Sequence, residues 1–214
     1  MRITVLTQPE RHPFHDRLQA WCEEARSRHE VEWRTSHDDL PGGAILFIVS
    51  YHEHVPSGAR ARYKRSYVPH ASALPVGRGW SPLEWQISEG ATEITLSLIL
   101  AEDGIDTGGI CAQTTFPVPD HALRDEIEDL LFAAEIGLMT QAVERHGDLE
   151  PAAQVGEPTT YRRRTPDDSR LDPAASIEEQ FDLLRIADPD RFPAFVDLRG
   201  HRYAVRLEKL GEAT

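Results

Sequence analysis

Apolar residues in the first seventy positions form short runs separated by one helical stripe. Four runs predict strands at residues 2–6, 31–33, 44–50 and 66–68. Helices are expected at 14–29, where Leu18, Trp21, Cys22 and Ala25 share one face, and from Pro56 to about Tyr63. The run at 44–50 is apolar on both of its faces, which is typical of a covered parallel strand. This alternation predicts an α/β fold with an open, mostly parallel sheet.

The middle of the chain predicts a helix, a hairpin and a second, longer helix. After a Pro- and Gly-rich loop at 71–81, we expect Ser81 to cap a helix that begins at Pro82. Strands at 92–100 and 109–118 flank a tight turn and read as a hairpin. The apolar period that follows predicts a helix capped by Asp120 and ending near His146.

The composition changes at Gly147, which predicts three regions. We assign 1–146 to a catalytic α/β domain, 147–175 to a linker, and 176–214 to a small helix-plus-β-hairpin appendage. Ser176 and Glu179 form the pattern of a capping box at the start of the appendage helix. A two-stranded hairpin is marginal alone, so its apolar face must cover either the core or a second copy. We expect a homodimer.

Charge and composition narrow the classes of function. The 214 residues include 23 Lys and Arg against 36 Asp and Glu, a net charge of −13. Such a surface repels nucleic acids and anionic lipids. Two cysteines exclude a disulfide framework, and no apolar run approaches the ~20 residues that span a bilayer. We therefore expect a cytoplasmic enzyme with small-molecule partners, without nucleic acid or membrane.

Two residues are the main candidates for acid–base chemistry. His70 lies where a predicted strand ends, the usual place for function in open α/β sheets. Asp106 lies in the Gly-rich turn 104–109. If the hairpin pairs beside the strand of His70, the two side chains share one sheet edge and can move a proton. The alternatives are a structural histidine and an Asp that only forms a turn.

Three further motifs carry weaker signals. The Gly77-Arg78-Gly79 loop before a helix could cradle a phosphate, or the glycines could simply allow the loop to turn. His52 and His54 could share a metal, but a third ligand is not evident and no metal is expected. The Arg162–Arg164 run either pairs with acidic residues of the chain or grips a carboxylate or phosphate.

The motifs His70-Ala-Ser-Ala-Leu-Pro75, Arg78-Gly-Trp-Ser-Pro82 and Gly104-Ile-Asp-Thr-Gly108 occur in this order. Together they resemble the formyltransferase family that uses 10-formyltetrahydrofolate. The likeness is greatest to bacterial sugar N-formyltransferases of the pseudaminic-acid type and covers the chain from about residue 44. It implies a Rossmann-like formyltransferase fold shortened at its N-terminus.

The resemblance also implies roles for individual residues. It makes 10-formyltetrahydrofolate the formyl donor and a small amine, as in an amino sugar, the acceptor. The catalytic residues would be His70, Asp106 and Ser72. The donor would contact Ser50, Tyr51, His52, Ala101, Asp103 and Ile105, and the acceptor would contact Arg78, Gly79 and Trp80. A tRNA acceptor fits poorly with the net charge of −13 and the short C-terminal region.

One position departs from the family motif. Val68 stands two residues before His70, where the family usually has an Asn that holds the formyl oxygen. Valine has no side-chain donor. Either Ser50 or Tyr51 supplies a donor, or His70 and backbone amides suffice, or the protein is weakly catalytic. The alternatives to a transferase are therefore a 10-formyltetrahydrofolate hydrolase and a binding module for folate or a nucleotide-sugar.

Overall fold

The computed structural model describes residues 1–8 and 14–212. Its strands are β1 (Arg2–Thr7), β2 (Glu30–Arg34), β3 (Gly43–Val49), β4 (Tyr63–His70), β5 (Arg78–Gly79), β6 (Glu93–Leu100), β7 (Ile110–Pro117), β8 (Thr160–Tyr161), β9 (Ala194–Leu198) and β10 (His201–Val205). Its α-helices are α1 (His15–Ala25), α2 (Ser57–Arg60), α3 (Pro82–Ser88), α4 (Arg124–Glu144) and α5 (Phe181–Ile186), and a 3-10 helix covers Pro166–Ser169.

Six strands form the central sheet in the order β2-β1-β3-β4-β6-β7. The first four run parallel, and β6 and β7 are antiparallel to their neighbours. Because β3 lies inside the sheet with both faces covered, Leu46, Phe47 and Ile48 are all buried. The predicted α/β class, the mostly parallel sheet and the hairpin beside the strand of His70 are confirmed.

Aromatic and branched side chains hold the sheet to its helices. On one face, the Trp21 ring of α1 packs edge-on against Phe47, with ring centroids 5.7 Å apart. Phe47 in turn stacks on Tyr67 of the next strand, at 5.9 Å. Each large apolar side chain buried in this way contributes about 1.5–3 kcal/mol. This packing fixes the carboxyl ends of β3 and β4, where the candidate site begins.

Helix boundaries and caps differ from the predictions at four places. The second helix covers only Ser57–Arg60, and Tyr63 instead begins β4, where it pairs with β3. The first helix ends at Ala25 rather than His29. Ser81 precedes α3, but it has a φ of 51° and its side chain makes no capping hydrogen bond within the described residues. Asp120 does not cap α4, because a turn follows it and the Glu126 carboxylate instead accepts the Leu123 backbone N–H at 2.8 Å.

The segment 147–175 packs along the core and adds to a small second sheet. Its strand β8 pairs in parallel with β5, so Tyr161 lies opposite Gly79. A Cβ at Gly79 would stand 2.4 Å from the Tyr161 carbonyl oxygen, which explains the glycine there. The division into catalytic domain, linker and appendage stays a prediction. Across the described residues, no helix is both long and apolar enough to cross a membrane.

The C-terminal region contains the predicted helix and hairpin. Ser176 and Glu179 exchange the expected capping bonds, although the regular helix α5 begins only at Phe181. In the β9–β10 hairpin, Ala194 packs with Leu171 and Leu184 in one apolar cluster. The hairpin therefore covers apolar surface within its own chain. The homodimer stays a prediction.

Candidate active site

A cavity of about 710 Å³ opens at the carboxyl ends of the parallel strands β3 and β4. His70 is the last residue of β4 and lines this cavity, although only 7% of its surface is exposed. The strand places it there because β4 is held between β3 and β6. The position agrees with the rule that open α/β sheets bind ligands beyond their strand ends.

Asp106 reaches His70 from the loop between β6 and β7. The Asp106 Oδ2 atom lies 3.5 Å from His70 Nδ1, with only 13% of the Asp106 side chain exposed. The same oxygen accepts the Gly79 backbone N–H at 2.9 Å. Asp106 has a φ of 51°, a left-handed conformation that Asp tolerates better than most residues. The structure thus brings together the two residues that the sequence singled out.

Both ring nitrogens of His70 face oxygen atoms. Its Nε2 lies 2.8 Å from the Gly77 carbonyl oxygen, while Nδ1 faces the Asp106 carboxylate. A carbonyl oxygen only accepts, so Nε2 carries the proton. The imidazolium form can donate to both neighbours. A group that holds a proton beside a carboxylate, at the floor of a cavity, is suited to acid–base catalysis.

The predicted donor-binding residues line one part of this cavity. These are Ser50, Tyr51, His52, Ala101, Asp103 and Ile105. Ser50 follows β3 directly with a φ of 49°. The Tyr51 hydroxyl lies 2.9 Å from His37 Nδ1 and donates to Glu53 at 3.2 Å. Partial burial and the Glu53 carboxylate raise the pKa of Tyr51.

Sequence analysis missed Arg60, which closes this part of the cavity. Its Nε donates to the Val55 carbonyl at 3.0 Å, and its Nη groups bond the Ala101 carbonyl and the Asp103 carboxylate. Arg60 thus ties α2 to the loop that follows β6. No periodicity marks a single arginine in a four-residue helix, so the sequence carried no signal for it.

The shape and chemistry of this part of the cavity suit a flat, polar-edged ring system. Ile48, Val55 and Val68 provide apolar walls. The loop 101–106 also lines the cavity, and Arg60 holds its Ala101 carbonyl and its Asp103 carboxylate. Such a combination of apolar faces and a few fixed polar groups is what ligand sites use.

Gly79 and Trp80 also line the cavity. The Arg163 guanidinium stacks over the Trp80 ring at 3.9 Å from its centroid, and His52 lies 5.9 Å from the same ring. Partial burial lowers the pKa of His52, and the positive charges of Arg163 and Arg191 lower it further. Arg163 therefore places a guanidinium at the cavity wall, against the Trp80 ring.

Two of the predicted site residues are located elsewhere. Among the residues that the structure describes, Ser72 and Arg78 lie outside the cavity lining. Ser72 is 1% exposed, and its carbonyl accepts the Ser97 hydroxyl at 2.7 Å. The Arg78 guanidinium donates to Gln154 Oε1 at 2.7 and 3.1 Å. Their placement fits support of the site better than contact with a substrate.

The glycine loop does not present a phosphate cradle. The Gly77 amide donates to Thr159 Oγ1 at 2.8 Å, and the Gly79 amide donates to Asp106. Both N–H groups are therefore engaged within the chain. The loop pairs with β8 instead, in accordance with the simpler of the two interpretations.

The Arg162–Arg164 run divides between two roles. Arg162 forms an ion pair with Asp168, which lowers the pKa of that carboxyl below its usual range. Arg164 donates to the Asp168 carbonyl at 3.1 Å. Arg163 and Arg164 both line the cavity: Arg163 lies on Trp80, and Arg164 Nη1 is buried without a hydrogen-bond partner among the described residues. Pairing within the chain thus fully explains only Arg162.

Metal ligands are not gathered in the part of the chain that the structure describes. No group of three or more His, Cys, Asp or Glu residues there could hold an ion. His52 lies against Trp80, and His54 is exposed.

A buried carboxyl that the sequence did not reveal also lines the cavity. Glu135 of α4 is 7% exposed, and its Oε2 has no hydrogen-bond partner among the described residues. Burial raises the pKa of Glu135 to about 8. Glu135 lies on the buried face of α4, and the apolar period of the sequence carries no signal for a carboxyl at that position.

Comparisons with known proteins agree with this architecture. No family model matches the chain. The chain is 29% identical to a methionyl-tRNA formyltransferase of Synechococcus sp. (strain JA-3-3Ab) over 75% of its own length and 50% of that protein. It is 32% identical to the enzyme of the same name from Clavibacter sepedonicus over 70% of its length and 50% of that protein. The chain thus spans about half the length of the curated relatives it matches.

Solved structures give the same result for the fold. A methionyl-tRNA formyltransferase from Clostridium thermocellum superposes with a TM-score of 0.81 and 22% identity, covering 99% of this chain and 94% of that one. The chain has the formyltransferase fold. A sugar N-formyltransferase from a Shewanella species gives 0.76 with 13% identity, over 99% of both chains. HypX of Aquifex aeolicus, solved with tetrahydrofolic acid, gives 0.79 with 19% identity, over 97% of this chain and 37% of that one.

These formyltransferase relatives act on different acceptors, by their names. The matched curated proteins are methionyl-tRNA formyltransferases, whereas the structural neighbours also include sugar N-formyltransferases. The particular likeness to the pseudaminic-acid type stays a prediction.

Proposed function

We propose that this chain transfers a formyl group from 10-formyltetrahydrofolate to the amine of a small acceptor, and that the acceptor is an amino sugar. The observation that carries the transfer is the pairing of His70 with Asp106 at the floor of a cavity. The relationship to formyltransferases supports the reaction class. The net charge of −13 supports a small acceptor over tRNA, because like charges repel a polyanion.

The reaction requires a proton to move and a negative charge to be held. The acceptor nitrogen bonds to the formyl carbon, and the bond from that carbon to the donor nitrogen breaks. The proton that the amine loses ends on the departing nitrogen of tetrahydrofolate. During the attack, negative charge develops on the formyl oxygen and needs a donor beside it.

His70 and Asp106 can meet both requirements. As an imidazolium, His70 keeps its Nε2–H on the Gly77 carbonyl. Its Nδ1–H, whose nitrogen lies 3.5 Å from the Asp106 carboxylate, would donate to the oxygen that becomes negative once a substrate is bound. Asp106 lies at ion-pair distance, so it holds the imidazolium in place and can accept the proton of the amine. Positioned acid–base groups of this kind contribute about 10²- to 10⁴-fold in rate. The apolar walls at Ile48, Val55 and Val68 would hold the donor, which supplies the formyl group as a substrate.

The test combines the full chain with 10-formyltetrahydrofolate and separate acceptors. These are free amino sugars, nucleotide-linked amino sugars, methionyl-tRNA, and a sample with no amine. Formylated product is followed by mass spectrometry, and formate release is measured in parallel. Formylation of an amino sugar that depends on His70 supports the proposal.

Other outcomes would replace it with a named alternative. Formate release at the same rate without an amine would identify a hydrolase. Binding of the donor without turnover would identify a binding module, the reading that Val68 motivates. Transfer to methionyl-tRNA would support the proposed reaction and contradict the proposed acceptor. A chain that binds no folate by calorimetry would overturn the proposal as a whole.

A further inference from the structure

The position of Asp106 depends on contacts from outside the cavity. Its loop joins β6 to β7 and makes a left-handed turn at Asp106 itself. A Cβ at Gly108 would lie 1.8 Å from the Leu100 carbonyl oxygen, so the loop presses closely on the end of β6. A loop with such a tight path needs partners for the carbonyl groups that it turns outward.

Gln154 supplies those partners. Its Nε2 donates to the Asp106 carbonyl at 2.7 Å and to the Gly108 carbonyl at 2.8 Å. Its Oε1 accepts two bonds from the Arg78 guanidinium, at 2.7 and 3.1 Å. If the Gln154 amide were flipped, its oxygen would face the two carbonyl oxygens and its NH₂ group would face the Arg78 guanidinium. Only the observed orientation therefore gives every partner a hydrogen bond.

Asp106, Gln154, Arg78 and Gly79 form a closed ring of contacts, which we call the contact ring. Arg78 holds the Gln154 amide, and the neighbouring Gly79 donates its N–H to the Asp106 carboxylate at 2.9 Å. The backbone of Asp106 is thus fixed through Gln154, and its side chain through Gly79. The segment that carries Gln154 is itself anchored, because Ala152 and Ile110 exchange two backbone hydrogen bonds at 2.8 Å.

We propose that Gln154 and Arg78 are positioning residues that hold the Asp106 carboxylate opposite His70. Within the described chain, neither residue lines the cavity, so both act through Asp106 rather than on a substrate. The inference rests on the proposed function, since it assigns Asp106 a role in transfer. It also gives Arg78 a role different from the acceptor contact that the sequence suggested.

The kinetic test is a cycle between Gln154→Met and Asp106→Asn. Methionine keeps the volume of the side chain and removes its four hydrogen bonds. We expect Gln154→Met to lower kcat about tenfold to a hundredfold, because a misplaced catalytic group costs rate. KM for donor and acceptor should change by less than about threefold, since no substrate contact is lost. In the Asp106→Asn background, Gln154→Met should lower kcat no further.

The matched control is Gln180→Met. Gln180 also clamps a loop, with Nε2 donating to carbonyls including those of Asp172 and Ser176, but it lies in the C-terminal region outside the cavity lining of the described residues. Its loss should leave kcat within about twofold of wild type at matched protein concentration. If Gln154→Met does not fold, Arg78→Met tests the same contact ring from its other member.

A second measurement does not depend on activity. Hydrogen exchange of the Gly79 amide, followed by NMR, reports whether the Asp106 carboxylate still accepts that N–H. Exchange should accelerate about tenfold or more in Gln154→Met and Arg78→Met, and stay unchanged in Gln180→Met. Unchanged Gly79 exchange, or equal loss of kcat in the wild-type and Asp106→Asn backgrounds, would overturn the positioning role. The two proposals can also fail separately. If the wild-type chain shows no formyl transfer but Gly79 exchange is faster in both variants, the proposed function is rejected and the contact ring is supported.

Discussion

Asp106 Oδ2 contacts both ends of the loop that joins His70 to Gly79. It lies 3.5 Å from His70 Nδ1 and 2.9 Å from the Gly79 amide nitrogen. The carboxylate therefore has one oxygen that faces both the acid–base residue and a backbone donor. A carboxylate at this point orients the His70 ring that lines the cavity. The predictions below separate that chemical role from the structural one.

Asp106→Asn removes the charge and keeps the size of the side chain. The amide oxygen can still accept the Gly79 N–H, so the melting temperature should fall by little. Turnover should fall about tenfold or more, within the range for acid–base groups. The comparison is with Asp190→Asn, an exposed carboxylate in a turn of the C-terminal region. A large loss of stability with normal specific activity would assign Asp106 to turn formation alone.

His70→Ala should abolish most formyl transfer. The variant loses both the donor for the formyl oxygen and the partner of Asp106, so we expect a fall of about 10²-fold or more in kcat. Circular dichroism should show the fold retained, because β4 is held mainly by its ladder and by Tyr67. His201→Ala, at an exposed hairpin position, is the matched control. Near-normal turnover of purified His70→Ala would remove His70 from the mechanism.

Val68→Asn tests the one departure from the family motif. Val68 packs with the apolar cluster of Leu46 and Ile48 and lies on the same face as His70. An amide placed there without a full set of partners costs about 1–3 kcal/mol. We expect lower stability and less than about a tenfold gain in rate. A larger gain would show that the natural site lacks an oxyanion donor and would favour the weakly catalytic or binding-module alternative.

Ser50→Ala tests the replacement donor directly. Ser50 lines the cavity at the end of β3, in a left-handed conformation that turns the chain beside His70. If its hydroxyl holds the formyl oxygen, the variant should lose kcat about tenfold or more while KM for the acceptor stays nearly constant. Ser57→Ala, exposed at the start of α2, is the control. Equal kinetics for Ser50→Ala and wild type would leave His70 and backbone amides as the donors.

The sequence predicted most of the fold and the central pair of the site. Strand positions followed from apolar runs, and β3 was recognised as a covered strand from its two apolar faces. His70 and Asp106 could be found because each lies at a strand end or in a Gly-rich turn. Gln154 could not be found, because its effect depends on three backbone and side-chain partners brought together from distant segments.

The aperiodic segment 147–175 shows which contacts composition does not reveal. Its Pro, Asp and Glu content gives no helical or strand period, so linker was the natural interpretation. Yet Tyr161 pairs beside Gly79, and Gln154 holds the Asp106 loop. Short contacts of this kind stabilise a segment through individual hydrogen bonds rather than through a repeating apolar face. The pattern of residue types along the chain does not reveal such individual contacts.

Glu135 predicts a specific dependence of stability on pH. Burial raises its pKa from an ordinary 4.5 to about 8 in the folded chain, so the folded state keeps the proton that the unfolded state releases. Between these two values the folded chain binds more protons, and its free energy of unfolding falls as the pH rises. The stabilisation present at pH 4.5 is lost on approaching pH 8, with a total on the order of 3–5 kcal/mol.

Glu135→Gln should flatten this dependence, because the amide has no proton to lose. The measurement is chemical denaturation of wild type and variant at pH 5, 6.5 and 8, compared with Glu144→Gln on the exposed side of the same helix. Relative to wild type, Glu135→Gln should gain a few kcal/mol between the lowest and highest pH. Any constant cost of burying the amide cancels in that difference. Parallel pH curves for Glu135→Gln and wild type would show that the carboxyl finds a solvated or paired state on ionisation, and would refute the raised pKa.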